Sequence, residues 1–321
     1  MTIPHFDAAA IAAATPWPRL IDALRAGFTS PHQAPDRHIH ELKVPGAPAA
    51  TALLMPAWIE GEVYGVKLAN IFPGNGALGL PTVSSLYVVF DGRTGQLRAT
   101  MDGGAITGRR TAATSALAST LLSRRESRRL LILGAGRMAP LLVAAHAAVR
   151  PIAEVSIWAR NIEQAERLAE QVGFENDLSV SAVSEIDAVA SEADIISSAT
   201  LSREPLIKGA LLRPGTHLDL VGAYTPAMRE TDGEAVARSE VFIDTAGGAR
   251  AEAGDLIQAI AEGKFDWANV RADLADLCAG RHPGRTDENA ITLFKSVGAA
   301  IEDLVTARLV LGDGRQEEGE R

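Results

Sequence analysis

Residues 134–139 form a glycine-containing motif that suits a dinucleotide phosphate site. The pattern is GxGxxA; it follows the apolar stretch LLIL and precedes a helical pattern. The glycines permit a tight turn and close approach of a pyrophosphate, and the final small residue lets helix and strand pack together. Free N–H groups at the helix N-terminus favour phosphate, although small residues could also serve packing alone. The predicted cofactor contacts here are Gly134, Gly136, Arg137, Met138 and Ala139.

The residues after the next strand bear on which dinucleotide is bound. NAD-specific sites place Asp or Glu there, where it accepts a hydrogen bond from the ribose 2′-hydroxyl. In this chain the strand VSIW is followed by Ala159, Arg160 and Asn161, and no acid occurs before Glu163. The planar guanidinium of Arg160 could pair with a 2′-phosphate; the alternative is an ordinary solvated arginine. The pattern favours NADPH, with NADH as second choice, bound by these three residues.

Three cationic residues outside this motif could bind an anion. Lys67 lies within the apolar strand pattern YGVKLANI, where an unpaired ammonium is costly and its pKa is readily lowered. Arg110 lies near the start of a predicted helix, where the helix dipole disfavours a cation, so a counter-anion is expected. Arg37 precedes the first strand of this region. Together the three could clamp one carboxylate; the alternative is that each charge reaches solvent separately.

From residue 128 onward, short apolar strands alternate with helical patterns. The strand-like segments are RRLLIL, VSIWAR, ADIISSAT, THLDLVGAY and EVFIDT. Their alternation with helices predicts βαβ units and a parallel sheet. Ligands bind at the carboxyl edge of such sheets. We expect that edge to present Met138, Thr200, Val221, Gly222 and Ala223.

The first part of the chain follows a different pattern. Residues 1–30 predict a helix pair, residues 38–101 a set of strands with a hairpin turn at DGRTG, and residues 105–123 a long helix. A last helix is expected from about Ser296 to Leu311, and it could pack back on the first domain. The predicted fold class is α/β. An α+β substrate-binding and dimerisation domain comprises residues 1–115 and 300–321, and a Rossmann-type doubly wound parallel-sheet domain comprises residues 116–299.

Composition and charge limit the classes of protein. The 321 residues are 47% hydrophobic and 22% charged, which is typical of a globular protein with two domains. A net charge of −9 argues against nucleic acid and anionic membranes as partners, and no apolar run is long enough for a membrane span. The single cysteine, Cys278, favours a reducing, cytoplasmic compartment. Since no His/Cys spacing typical of a metal site occurs, we expect no metal.

Four segments, in this order, resemble the ornithine cyclodeaminase/mu-crystallin family: VKLANIFPGN, ITGRRTAATSALA, ILGAGRMA and TLFKSVGAAIEDL. The likeness extends over about residues 30–310. It implies a substrate and dimerisation domain, a Rossmann domain and a final helix that returns to the first domain. The family includes ornithine cyclodeaminases, archaeal alanine dehydrogenases, ketimine reductases and a thyroid-hormone-binding crystallin, so several activities stay open.

The resemblance also implies roles for individual residues. Lys67 matches a family lysine that contacts the substrate and can move a proton, and Arg37 matches an arginine that binds the substrate carboxylate. Arg110 matches an arginine at the junction of cofactor and substrate, so it is a candidate for catalysis and for binding both. The residues expected near the nicotinamide are Thr82, Ser296 and Gly298. Met55 is a further expected substrate contact.

One position departs from the cyclodeaminase pattern. Ornithine cyclodeaminases carry an Asp where this chain has Tyr224, within VGAYTPAMRE. That Asp is thought to hold the distal amine of ornithine, and a phenol with a pKa near ~10 cannot replace it as an anion. Tyr224 suits the apolar ring of a cyclic substrate, and the departure favours the imine-reducing branch of the family.

The expected activity is therefore NAD(P)H-dependent reduction of a cyclic 2-imino acid, Δ1-pyrroline-2-carboxylate or Δ1-piperideine-2-carboxylate. The partners expected are a small carboxylate substrate and a second copy of the chain, bound through the first domain. Three alternatives stay open: ornithine cyclodeaminase with NAD, an alanine dehydrogenase-like oxidoreductase, and a non-catalytic binder of NADPH and a small effector.

Overall fold

The computed structural model describes residues 3–176 and 178–312. The chain divides into two compact units. The first unit combines the chain up to Arg110 with the segment that begins at Ala299. The second unit extends from Thr111 to Gly298. These division points lie close to the predicted boundaries after residues 115 and 299, and each unit contains its own sheet.

The first unit is built on a six-stranded sheet of order β1-β6-β5-β4-β3-β2. β1 runs parallel to β6, and the other neighbouring strands are antiparallel. The strands are β1 His5–Phe6, β2 His38–Leu42, β3 Ala50–Ile59, β4 Val63–Ile71, β5 Val83–Asp91 and β6 Leu97–Asp102. The helices are α1 Ala8–Ala14, α2 Trp17–Thr29, the start of α3 Gly103–Leu122, and the last helix, α11 Ala300–Leu311.

Alternation along β4 separates an inner and an outer face of this sheet. Val63 and Lys67 are buried, whereas Tyr64 and Leu68 are 37% and 36% exposed. Because successive side chains of a strand point to opposite faces, the two sets lie on opposite sides. Helix α11 packs against β3, β4 and α2, which explains the burial of the inner set. The apolar side chains of the outer set are therefore partly exposed.

The second unit contains an eight-stranded, wholly parallel sheet of order β13-β12-β14-β11-β10-β7-β8-β9. The strands are β7 Arg129–Leu133, β8 Glu154–Trp158, β9 Ser179–Val183, β10 Ile195–Ser198, β11 His217–Leu220, β12 Ser239–Ile243, β13 Val270–Asp273 and β14 Ile291–Lys295. The helices are α4 Met138–Ala147, α5 Ile162–Asn176, α6 Ile186–Ala190, α7 Gly233–Ala237, α8 Ala246–Glu252, α9 Gly254–Ala261 and α10 Leu274–Cys278. From β7 the chain adds β8 and β9 on one side and then continues with β10 on the other side of β7. This reversal of strand order is typical of a doubly wound dinucleotide-binding fold.

The last helix begins later than its sequence predicts. The expected start was Ser296, but α11 begins at Ala300. The backbone N–H groups of Val297 and Gly298 donate to Oδ2 of Asp244, each at 2.7 Å, and Gly298 has a φ of +85°. These bonds hold the chain in a turn that a helix cannot continue. Within the described residues, no helix has the length and apolar character required to cross a membrane.

Candidate functional site

A cavity of about 890 Å³ lies at the carboxyl edge of the second sheet. Its walls come from the segments that follow β7, β8 and β10. They include Gly134, Gly136, Ala159, Arg160, Asn161 and Thr200, which the sequence assigned to the cofactor. The other lining residues are Ala135, Trp158, Gln164, Leu201, Ser202, Arg203, Glu204 and Leu206.

The geometry of the two glycines fits a bound dinucleotide. Gly134 has a φ of +107°, and a Cβ there would lie 3.1 Å from the carbonyl oxygen of Ala199, so the turn requires glycine. Apart from its two chain neighbours, no described residue would have an atom within 4 Å of a Cβ at Gly136. Packing therefore does not explain Gly136, whereas approach of a phosphate to its backbone does. In the same turn Arg137 immediately precedes α4, whose first residues are Met138 and Ala139.

Arg160 and Asn161 have different surroundings at the rim of the cavity. Arg160 is exposed, with its guanidinium available to a ligand phosphate. The side-chain oxygen of Asn161 accepts hydrogen bonds from the backbone N–H groups of Glu163, at 2.9 Å, and Gln164, at 3.4 Å. Asn161 thus caps the start of α5, a structural role beside any contact with cofactor.

A buried carboxylate supports the edge of the cavity at Thr200. Oε1 of the fully buried Glu230 accepts the backbone N–H of Thr200 at 2.7 Å and its hydroxyl at 2.8 Å. The hydroxyl of Ser198 donates to the same oxygen at 2.6 Å. Burial raises the pKa of Glu230. One acceptor thus fixes the turn after β10.

A buried ion pair supports the neighbouring turn, after β11. Nζ of Lys295 lies 3.0 Å from Oδ2 of Asp255, and both side chains are fully buried. Lys295 also donates to the carbonyl oxygen of Gly222. Oδ1 of Asp255 accepts the backbone N–H of Glu230 at 2.7 Å. A Cβ at Gly222 would clash with the carbonyl oxygen of Thr200 and with Glu230, so glycine is required where the two turns meet.

The remaining predicted residues of this edge surround the same turn. Val221 donates from its backbone N–H to the carbonyl oxygen of Ser198 at 2.8 Å. Ala223 is buried with a φ of +50°, an unusual conformation for a residue with a side chain. The next residue, Tyr224, is 36% exposed, and burial raises the pKa of its phenol. Tyr224 is therefore a neutral hydroxyl at physiological pH.

The first unit holds a cluster of four buried charges, which we call the Lys67–Asp303 cluster. Nζ of Lys67 lies 2.7 Å from Oδ2 of Asp303. Arg110 reaches both carboxylates of α11: Nε is 3.1 Å from Oδ1 of Asp303, and Nη1 is 2.7 Å from Oε2 of Glu302. The two cations are 4% and 5% exposed and the carboxylates are fully buried. The anion that faces Arg110 is therefore supplied by the protein itself.

Burial and neighbouring charge set the protonation states in this cluster. Burial lowers the pKa of Lys67 to about 8; Asp303 opposes this shift, and Arg110 and Arg37 add to it. Burial disfavours the charge of Asp303, but Lys67 and Arg110 hold its pKa below the ordinary value. Burial likewise disfavours the charge of Arg110, and Glu302 and Asp303 raise its pKa above the usual range. Lys67 is thus a protonated amine near its pKa at neutral pH, which suits a proton donor.

The other predicted residues of the first unit differ in their burial and in their relation to this cluster. Met55 is buried and pairs with Lys67 in the β3–β4 register. Arg37 is half-buried before β2, near enough to influence Lys67 electrostatically. Thr82 is exposed just before β5. Lys67, Arg110, Arg37 and Met55 therefore belong to one region, and Thr82 is set apart by its exposure.

Five buried charged residues of these networks were not selected from the sequence. They are Glu230, Asp255, Lys295, Glu302 and Asp303. A signal was present: Lys295 lies in the apolar run ITLFKSV, as Lys67 does in its own strand, and two acids open the apolar helix that ends the fold. A charge within an apolar segment requires a buried partner. Among the described residues, no group of three or more His, Cys, Asp or Glu side chains could hold a metal ion.

Comparison with known proteins places this geometry in a family. The sequence pattern of the ornithine cyclodeaminase/mu-crystallin family matches residues 14–318. The chain belongs to this family. The predicted resemblance and the α/β fold class are confirmed.

The chain is similar to several proteins whose activities are named. Δ1-pyrroline-2-carboxylate reductase of Paracoccus denitrificans is 43% identical over 296 residues, which cover 92% of each chain. The solved Δ1-pyrroline-2-carboxylate reductase of Thermococcus litoralis, in complex with NADH and L-proline, is 32% identical with a TM-score of 0.91, covering 97% of both chains. An archaeal alanine dehydrogenase dimer with bound NAD is 26% identical with a TM-score of 0.87, covering 98% of this chain and 96% of that one.

Proposed function

We propose that this protein reduces a cyclic 2-imino acid to the L-amino acid with a nicotinamide cofactor, and that Δ1-pyrroline-2-carboxylate is the preferred substrate. The observation that carries the proposal is the buried ion pair of Lys67 with Asp303, 2.7 Å long, which supplies a proton donor near neutral pH. The names of two relatives, from Paracoccus denitrificans and Thermococcus litoralis, support the same reaction.

The proposed reaction consists of a hydride transfer to the imine carbon and a proton transfer to the ring nitrogen. When bound, the cofactor supplies a hydride for the imine carbon. Lys67 supplies the proton: one of its N–H bonds breaks as a new N–H bond forms on the ring nitrogen, and solvent later reprotonates the amine. The balance is imine, proton and NADPH giving amino acid and NADP⁺. Lys67 acts here as a general acid.

The carboxylate of the substrate is assigned to Arg37 and Arg110. Within the Lys67–Asp303 cluster two cations face two carboxylates, so the four charges balance when all are ionised. Arg37 adds one positive charge beside them. Guanidinium groups bind carboxylates through paired, charge-assisted hydrogen bonds, which favours a substrate that carries a carboxylate. Met55 and Tyr224 are the proposed apolar contacts of the ring.

The preferred cofactor is NADPH, with NADH second. The proposal rests on the exposed Arg160 at the cavity rim, where NAD-specific sites place an acid. The contacts assigned to the cofactor are Gly134, Gly136, Arg137, Met138, Ala139, Ala159, Arg160, Asn161, Thr200, Val221, Gly222 and Ala223, with Thr82, Arg110, Ser296 and Gly298 at the nicotinamide. We accordingly assign residues 116–299 to cofactor binding and residues 1–115 with 300–321 to substrate binding and dimerisation.

A homodimer through the outer face of the first sheet is part of this proposal. Leu68 on β4 and Leu86 on β5 are partners in register and are 36% and 37% exposed. The rings of Tyr64 and Phe90 stack on the same face, with centroids 5.4 Å apart. A contiguous apolar sheet face is typical of a subunit interface. The related alanine dehydrogenase is described as a dimer. A cytoplasmic location is proposed from the single Cys278.

An absorbance assay that follows the reduced nicotinamide tests the proposed function. The purified protein is mixed with NADPH or NADH and with pyrroline- or piperideine-2-carboxylate, and ornithine with NAD is assayed in parallel. Oxidation of reduced cofactor with the cyclic imine is expected, and Lys67→Met should abolish it while NADPH still binds. Binding of NADPH without turnover of either imine would favour the non-catalytic alternative.

A further inference from the structure

Asp303 connects two cations that come from different elements of the first unit. Its Oδ2 lies 2.7 Å from Nζ of Lys67 on β4, and its Oδ1 lies 3.1 Å from Nε of Arg110 on α3. Asp303 is fully buried in the first turn of α11. Ion pairs at both oxygens, with partners on different elements, restrict the orientation of this carboxylate. The carboxylate in turn restricts where the two cationic groups can lie.

We propose that Asp303 is the positioning residue for the proton donor Lys67: it holds Nζ at one point of the inner sheet face and keeps the amine in its proton-carrying form. The catalytic consequence rests on the proposed function. The placement and charge state of Lys67 do not, and they can be measured on the protein without substrate.

The groups that face Lys67 make Asp303 the anion on which its charge depends. Arg110 from α3 and Arg37 from the segment before β2 both disfavour a charged amine. Tyr87, its register partner on β5, is fully buried, and burial together with Asp303 raises the pKa of its phenol, so it stays neutral. Met55, the register partner on β3, is uncharged. Asp303 therefore opposes both burial and two like charges.

Glu302 provides a matched control one residue away. It is also fully buried in the first turn of α11, and its Oε2 lies 2.7 Å from Nη1 of Arg110. Glu302→Gln removes one carboxylate charge from the same cluster, as Asp303→Asn does. The two substitutions differ in whether the ion pair of Lys67 itself is lost.

The charge state of Lys67 can be followed directly by nuclear magnetic resonance with ¹³C-labelled lysine. The chain contains five lysines, and the signal of Lys67 is the one lost in Lys67→Met. We expect this signal to titrate near pH 8 in the unmodified protein. In Asp303→Asn its midpoint should fall by about 1–3 pH units, and in Glu302→Gln by less than half as much.

Enzyme kinetics test the consequence for catalysis. Since Lys67 must carry a proton to act as the acid, kcat/KM for the imine should fall as the pH rises past its pKa. In Asp303→Asn this fall should begin about 1–3 pH units lower. A purely structural effect would lower kcat/KM by the same factor at every pH. Asp303→Glu keeps the charge but displaces it, so its pH profile should stay near that of the unmodified protein while kcat drops at least about tenfold.

Three results would overturn the proposal. One is a Lys67 midpoint in Asp303→Asn that matches the unmodified protein. Another is a midpoint in the unmodified protein near or below about pH 6, which would mean that no carboxylate keeps the amine charged; this measurement needs no variant to fold. The third is an unchanged kcat in Asp303→Glu. An unmodified protein that reduces no imine would refute the proposed function, and the resonance titration would still decide the role of Asp303.

Discussion

Glu230 and Thr200 are joined by two hydrogen bonds: one carboxylate oxygen of Glu230 accepts both the backbone N–H of Thr200, at 2.7 Å, and its hydroxyl, at 2.8 Å. Glu230 is fully buried, whereas Thr200 lines the candidate cofactor cavity. The shape of the cavity edge therefore depends on a buried carboxyl group beneath it. Such supporting contacts hold a binding site within the narrow tolerance that ligand recognition requires.

Replacing Glu230 with Gln should weaken both stability and cofactor binding. The amide would place a buried NH2 group where Oε2 of Glu230 has no hydrogen-bond partner among the described residues. Reorienting it would disturb the bonds from Ser198 and Thr200, so we expect the free energy of unfolding to fall by about 1–3 kcal/mol. The Kd for NADPH should rise about tenfold if one such bond is lost at the edge. Urea denaturation and fluorescence titration measure the two effects. Glu234→Gln, at an exposed position of α7, is the control; equal behaviour of the two variants would contradict the assignment.

Arg160→Ala tests the choice of cofactor. A charge-assisted contact with the 2′-phosphate contributes about 1.5–3 kcal/mol, so KM for NADPH should rise by roughly 10- to 100-fold. KM for NADH should change by less than about twofold, because NADH lacks that phosphate. Steady-state rates with both cofactors give the comparison. Arg167→Ala, which removes an exposed arginine of α5, controls for net charge. An equal rise in KM for NADPH and for NADH would refute the assignment of NADPH selectivity to Arg160.

The buried Lys67 should make stability depend on pH in a defined window. Its pKa is about 8 in the folded protein and 10.5 for an ordinary lysine. Between these values the unfolded chain binds more protons, so stability rises with pH. From pH 7.5 to 10.5, we expect the unfolding free energy of the unmodified protein to rise by about 3 kcal/mol relative to that of Lys67→Met. Urea denaturation at constant ionic strength measures it, with Lys264→Met as control; a constant difference would contradict the lowered pKa.

Tyr224 should separate imine reduction from ornithine cyclisation. Its neutral phenol cannot compensate the distal ammonium of ornithine. An unpaired buried charge costs about 3 kcal/mol or more, so negligible ammonia should be released from ornithine with NAD. Tyr224→Asp should weaken imine reduction, since it places a charge against the apolar ring, whereas Tyr224→Phe should retain most of it. Efficient proline formation from ornithine by the unmodified protein would establish the cyclodeaminase alternative.

The apolar outer face of the first sheet should be an interface between two copies of the chain. Leu68→Glu places a carboxylate among the exposed side chains of Tyr64 and Leu86. We expect the protein to elute as a dimer in size-exclusion chromatography with light scattering, and the variant to dissociate to monomers. Phe174→Glu, at a residue of the second unit that is 93% exposed, should stay dimeric. A monomeric unmodified protein would contradict this prediction.

The sequence alone determined the elements whose formation depends on local pattern. The alternation of apolar strands and helices after residue 128 predicts the parallel sheet, and the GxGxxA turn predicts the position of the cavity, because turn geometry and small side chains act over a few residues. Lys67 was selected for the same reason, since a charge inside an apolar strand is visible in one segment. The predicted start of α11 was wrong by about one helical turn. The reason is that Asp244, distant in sequence, accepts hydrogen bonds from the N–H groups of Val297 and Gly298.

Only the tertiary structure decided which charges pair. Lys67 and Asp303 are separated by most of the chain, as are Arg110 and Glu302, and nothing in their local patterns relates them. The sequence predicts that three cations clamp one substrate carboxylate, whereas the fold gives two of them carboxylates of its own. Buried charges are compensated wherever packing brings the partner within reach, and packing depends on the whole unit. The identity of the residue that holds Lys67 could therefore emerge only when α11 was seen to lie on β4.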